Sequence, residues 1–105
     1  MRWPWARPEP MESESHREEV LLLISRRLKE CEDSLRRNPS DLDALFTKGV
    51  FLARINEYWR AIDCLNRVTD QDPAYPGVWH LKYSLYQRVG DLGAASRCRE
   101  LARAD

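Results

Sequence analysis

Glycine is scarce in this 105-residue chain, with only four residues, all after position 48. No stretch carries the alternating β-branched pattern of a half-buried strand, so the chain reads as all helix. Long apolar runs are missing too. The longest, Val20 to Ile24, falls far short of the roughly 18 residues that suggest a membrane span, and no membrane partner is expected. A dominant charge is also absent: 17 basic residues stand against 17 acidic ones, residues 1–19 carry three against five, and residues 41–73 carry four against six. Such a chain has no field with which to gather nucleic acid or anionic lipid. Paired cysteines are lacking as well. Three scattered thiols without a C-x-x-C pair make neither a disulfide framework nor a zinc site. Reduced thiols, no metal and no cofactor are the expectation.

What is present fits one soluble globular domain, with 43% apolar and 32% charged residues. Met1 to Pro10 holds three prolines and two tryptophans but no apolar stretch of the kind a secretory signal needs, which makes a cytoplasmic address the default. Residues 1–11 are expected to form a flexible Pro/Trp arm, followed by a helical domain over 12–105. From about Glu12 to Arg37 the residues Leu21, Ile24, Leu28, Cys31 and Leu35 step 3-4-3-4 along one helix face. Asn38-Pro39 ends that helix, because the residue before proline is pushed out of the helical region and proline itself cannot donate. Ser40 or Asp41 offers an N-cap oxygen for a second helix reaching about Arg54. After a turn at Asn56-Glu57, a third helix runs from about Tyr58 to Asp70 and stops at Asp72-Pro73. A fourth spans about Gly77 to Val89, and a fifth follows the Gly90-Asp91 turn.

An internal period organises these helices. Pro39 and Pro73, Ala61 and Ala95, and Cys64 and Cys98 are each 34 residues apart. Two helices per 34-residue unit, closed by a proline, form a helix-turn-helix repeat that stacks on its neighbours. On these residues the chain resembles the tetratricopeptide repeat (TPR) family. The unit 42–75 carries Leu45, Gly49, Tyr58, Ala61, Leu65, Val68 and Pro73 at matching positions, and the unit 76–105 carries Trp79, Tyr86, Gly90, Ala95 and Ala102. Tyr83 departs from the pattern, standing where Gly49 does in the unit before, and Lys48 and Lys82 stand where the family usually has leucine. The same pitch makes residues 12–38 a lone second helix of a preceding unit. The resemblance therefore implies a short solenoid of antiparallel helix pairs, five helices in about two and a half units. Ser96, Arg99 and Arg103 stand where the third helix has Ile62, Leu65 and Thr69, a polar outer face suited to an end cap.

Catalytic hints are weak. His16 lies among charged residues and His80 stands alone on the fourth helix, without a nucleophile or carboxylate relay at local spacing, so a solvated or groove-lining role is expected of both. Cys64 and Cys98, at equivalent places in successive repeats, read as buried structural thiols. Arginine supplies 14 of the 17 basic residues, but acids interleave with them, as in Arg60-Asp63-Arg67-Asp70, whose spacing predicts ion pairs along a solvated helix face. Trp59 occupies a place that the family generally gives to a polar residue, and it either packs under the amino-terminal segment or is exposed.

The resemblance assigns the concave groove to the first helices of each unit: Asp43, Phe46, Thr47, Val50 and Arg54, then Gly77, His80, Leu81, Ser84 and Arg88. The family's two-carboxylate clamp needs donors where this chain has Phe46, Val50 and Leu81. What remains is an apolar strip edged by Arg54, Arg88 and His80, suited to a peptide or helix with apolar anchors and an acidic residue. The expected function is a non-enzymatic adaptor or scaffold for protein binding, its partner unnamed. The alternative is a self-associating structural protein, a homodimer through the N-terminal helix. Leu21, Leu28 and Leu35 should face the next unit, which leaves Val20, Leu22 and Leu23 bare. Either the Trp3-Pro4-Trp5 arm or a second copy covers them, and the second copy is preferred because proline-rich arms are more often mobile than docked.

Overall fold

A computed structural model of the chain describes the backbone of residues 10–103 and the side chains of residues 16–103. Trp3, Trp5 and the rest of residues 1–9 of the expected arm lie outside the described residues. Five helices follow one another: α1 (Pro10–Arg37), α2 (Leu42–Arg54), α3 (Tyr58–Gln71), α4 (Val78–Val89) and α5 (Leu92–Arg103). No strand occurs among the described residues.

Each boundary has a local cause. α1 stops before Asn38-Pro39 with Arg36 and Arg37 in its last turn, where cations complement the helix dipole. The Asn38 side chain accepts from Ser40 N (3.1 Å), and Asp41 caps α2 by accepting from Ala44 N (3.1 Å). Asp91 caps α5 in the same way through Ala94 N (3.1 Å). Among the described residues three turns use left-handed backbone, at Asn56, Gly77 and Gly90 (φ 84°). Asn56 adopts φ 63° after α2, a conformation that asparagine tolerates better than most residues. Gly77 (φ 79°) precedes α4 and takes it without a Cβ penalty, a need not evident in the sequence pattern.

The connections are short, and each helix packs on the next along the chain. The core sits between α2, α3 and α4, where Leu45, Leu52, Ala61, Ile62, Leu65, Val68, Val78 and Leu85 lose nearly all contact with solvent. α2 and α3 approach closely at Gly49: a Cβ there would lie 3.1 Å from Leu65 Cδ2 and 3.5 Å from the Ala61 carbonyl oxygen. α5 docks through small side chains, Ala94, Ala95, Cys98 and Ala102, and leaves Ser96, Arg99 and Arg103 exposed. Leu92 and Leu101 are exposed on the same helix.

α1 is about 42 Å long at 1.5 Å per residue, roughly twice the length of any other helix. α2 covers only the carboxyl-terminal part of it, burying Ile24 and Cys31 with Leu28 and Leu35 half-buried beside them. Leu21 was expected on that buried face but is 45% exposed, because α2 ends at Arg54 before reaching it. A second correction concerns Arg60, Asp63, Arg67 and Asp70. Among the described residues they form no ion pair. All four are exposed, where a pair gains little over hydration. The pairs that do form are Arg27 with Glu30 (3.1 Å), Arg36 with Asp33, and Lys48 with Glu32 (3.8 Å).

Candidate partner-binding groove

The register of α2 and α4 decides which side chains share a surface. Residues three and four apart lie on one helix face, so Val50, Ala53 and Arg54 of α2 look the same way, as do Leu81, Ser84, Leu85 and Arg88 of α4. These seven residues, with Asn56 and Tyr58 from the turn into α3, line a hollow of about 360 Å³. Val50 and Leu81 are half-buried in it, while Arg54, Ser84 and Arg88 are exposed. The hollow therefore joins apolar side chains to a rim of two guanidinium groups.

Five of the expected groove residues, Val50, Arg54, Leu81, Ser84 and Arg88, are brought together here. Asp43, Phe46, Thr47, Gly77 and His80 are not part of this hollow. Phe46 stacks obliquely on Tyr75, with ring centroids 5.0 Å apart, and the Tyr75 hydroxyl donates to Asp43 (2.5 Å). Burial, helped by the hydrogen bond to Asp43 and the negative charge of that carboxylate, pushes the Tyr75 phenol up to about 12. Gly77 lies beside this pair, its missing Cβ 4.0 Å from Phe46 Cζ. Thr47 is half-buried, and His80 is exposed. The residues that sequence reasoning left out are Ala53, Asn56, Tyr58 and Leu85. Ala53 and Leu85 follow from three- and four-residue spacing off Val50 and Leu81, whereas Asn56 and Tyr58 enter through the α2–α3 turn, which periodicity does not report.

A second hollow of about 640 Å³ opens under the overhanging part of α1, lined by His16, Arg17, Val20, Leu21 and Ile24 opposite Arg54, Ile55 and Asn56. Arg54 and Asn56 line both hollows, so the two meet at the α2–α3 turn. His16 stands exposed at this edge.

Lys82, at a place where the resemblance expects leucine, is only 7% exposed. Its ammonium lies 4.6 Å from the Trp79 ring centroid and donates to Thr69 Oγ1 at 3.4 Å. Burial holds its pKa below the ordinary lysine value, with Cys98 and Asp70 opposing that shift. The thiols of Cys31, Cys64 and Cys98 are free and buried, and burial raises all three, which suits packing rather than reactivity. Trp59 is 58% exposed, so it looks outward from the start of α3. Among the described residues no three His, Cys, Asp or Glu side chains cluster as metal ligands, and no helix is long and apolar enough to cross a membrane.

No family model, curated protein or solved structure matches this chain.

Proposed function

We propose that the chain is a TPR-like helical-repeat module, a short solenoid of about two and a half helix pairs, which serves in the cytoplasm as a non-enzymatic adaptor or scaffold. It binds a peptide or helix of another protein across α2 and α4. One observation carries this reading: Val50, Leu81, Arg54 and Arg88 converge on a single hollow. Apolar side chains in a concavity supply binding energy, and arginines at its rim select an acidic residue beside the anchor. The repeat reading draws support from burial, since Ala61 and Ala95, and Cys64 and Cys98, are buried alike 34 residues apart.

Selection from a displayed peptide library on the full chain tests the proposal. Sequences that pair a large apolar residue with a nearby acid are expected to enrich. Arg88→Glu, at an exposed position, and Leu81→Asp, with helicity checked by circular dichroism, should each weaken the selected peptides at least about tenfold, or 1.4 kcal/mol. Peptides that bind both variants as tightly as the parent would rule the groove out.

A second reading, self-association through α1, is favoured by a separate observation. Val20, Leu21, Leu22 and Leu23 are 37%, 45%, 68% and 56% exposed on consecutive positions.

A further inference from the structure

α1 carries apolar residues around its whole circumference at one level. Ile24 faces inward, whereas Leu22 projects almost opposite it, on the outward side. Within about 60° of Leu22 at 100° per residue lie Glu18, Glu19, Ser25, Arg26 and Lys29, all exposed. Acids thus precede the leucine by about one turn, and bases follow it by one to two turns. Glu18, Leu21, Leu22 and Ser25 also frame a hollow of about 330 Å³. Positions i, i+3, i+4 and i+7 are the diamond of four side chains into which a knob from a facing helix inserts.

From this arrangement we infer that the outward face of α1 pairs with α1 of a second copy, antiparallel, about a two-fold axis beside Leu22. The inference rests on the self-association reading and gives it a geometry. In this pairing each Leu22 enters the Glu18–Leu21–Leu22–Ser25 diamond of the other copy. Reflection through Leu22 sets Glu18 against Arg26, and Glu19 flanks the same contact. The parallel alternative lays Glu18 on Glu18 and Arg26 on Arg26, like charges on both sides of the leucine. The ion pairs thus fix orientation while the leucines supply the attraction. Leu21, Leu22 and Leu23 do not by themselves reach the roughly 800 Å² per partner of a stable interface. The pair therefore runs along the helix in both directions from Leu22, with Leu21 and Leu23 at its margins and Val20 on the opposite, inward side.

Sedimentation of the full chain at high micromolar concentration tests this. The expected parent species has twice the 12.4 kDa chain mass. Arg26→Glu alone faces Glu18 with a like charge and should raise the dimer dissociation constant at least about tenfold. Combining it with Glu18→Arg and Glu19→Arg should restore the dimer, because the swap is complementary only when the helices run antiparallel. All these positions are exposed, and helicity by circular dichroism verifies folding. Mild oxidation adds a second readout. Leu22→Cys should cross-link to itself, whereas Arg36→Cys should not, since two copies of it lie about 42 Å apart in the antiparallel pair. A parent that stays monomeric overturns both the pairing and the self-association reading. A dimer that is indifferent to Arg26→Glu, or that cross-links through Arg36→Cys, overturns the antiparallel geometry and leaves self-association through another surface.

Discussion

Tyr75 and Lys82 are the two side chains whose ionisation the fold changes most informatively. An unfolded tyrosine titrates near 10, and Tyr75 in the folded chain titrates at about 12. A raised phenol pKa means that the native state favours the neutral form. Its contribution to stability is therefore whole below pH 10 and is lost as the pH rises from 10 towards 12. The difference in absorbance titration between the parent and Tyr75→Phe should isolate a phenol with a midpoint near 12, moved back towards 10 by Asp43→Asn; a midpoint near 10 in the parent would mean that the Asp43 contact is not held in solution. Lys82 has the opposite sign. Its pKa is lowered, so burial disfavours the ammonium by more than Cys98 and Asp70 favour it. Thr69 keeps a partner without it, because its hydroxyl also donates to the Asn66 carbonyl oxygen (3.1 Å). Lys82→Met should accordingly raise Tm by ~2–5 °C in thermal melts near neutral pH. A fall in Tm would show that the cation–π contact outweighs the cost of burial.

At the scale of helices, α2 and α3 approach closely where Gly49 faces Leu65 and Ala61 is fully buried. No space exists there for a larger side chain. Ala61→Leu is expected to cost about 1–3 kcal/mol by forcing the two helices apart, measurable as a shift in denaturant midpoint with an unchanged slope; a variant as stable as the parent would place the close crossing elsewhere. The positions of α1 to α5 were largely legible in the sequence, because apolar spacing, two Asn/Asp-Pro stops and the Gly90 turn each have a local physical cause. Leu21 was not legible. Its spacing from Ile24 and Leu28 matches a buried face, but burial depends on where α2 ends, and that is a property of a different segment. The groove divides in the same way. Val50, Arg54, Leu81, Ser84 and Arg88 follow from helix register, whereas Asn56 and Tyr58 join them through a left-handed turn that no periodicity encodes. Phe46 and Asp43 were drawn instead to Tyr75, a contact across 32 residues of sequence in the case of Asp43.

For the whole molecule, elongated at 59 × 35 × 20 Å, the proposed binding role turns on which surfaces remain for others. Two stand out: the concavity over α2 and α4, and the amino-terminal half of α1 that α2 does not reach. They meet through Arg54 and Asn56, while the outward face around Leu22 lies on the far side of α1. Pairing of α1 would therefore leave the groove open, and a dimer would present two grooves to its partners. The central claim is that the α2–α4 concavity is the partner site. Backbone amide shifts of the isotope-labelled full chain, followed during titration with a selected acidic-apolar peptide, test it most directly. The account predicts that the largest changes fall on Val50, Arg54, Leu81, Ser84 and Arg88, extending to Asn56. Changes confined to α5 or to the outward face of α1, with these residues unmoved, would contradict it.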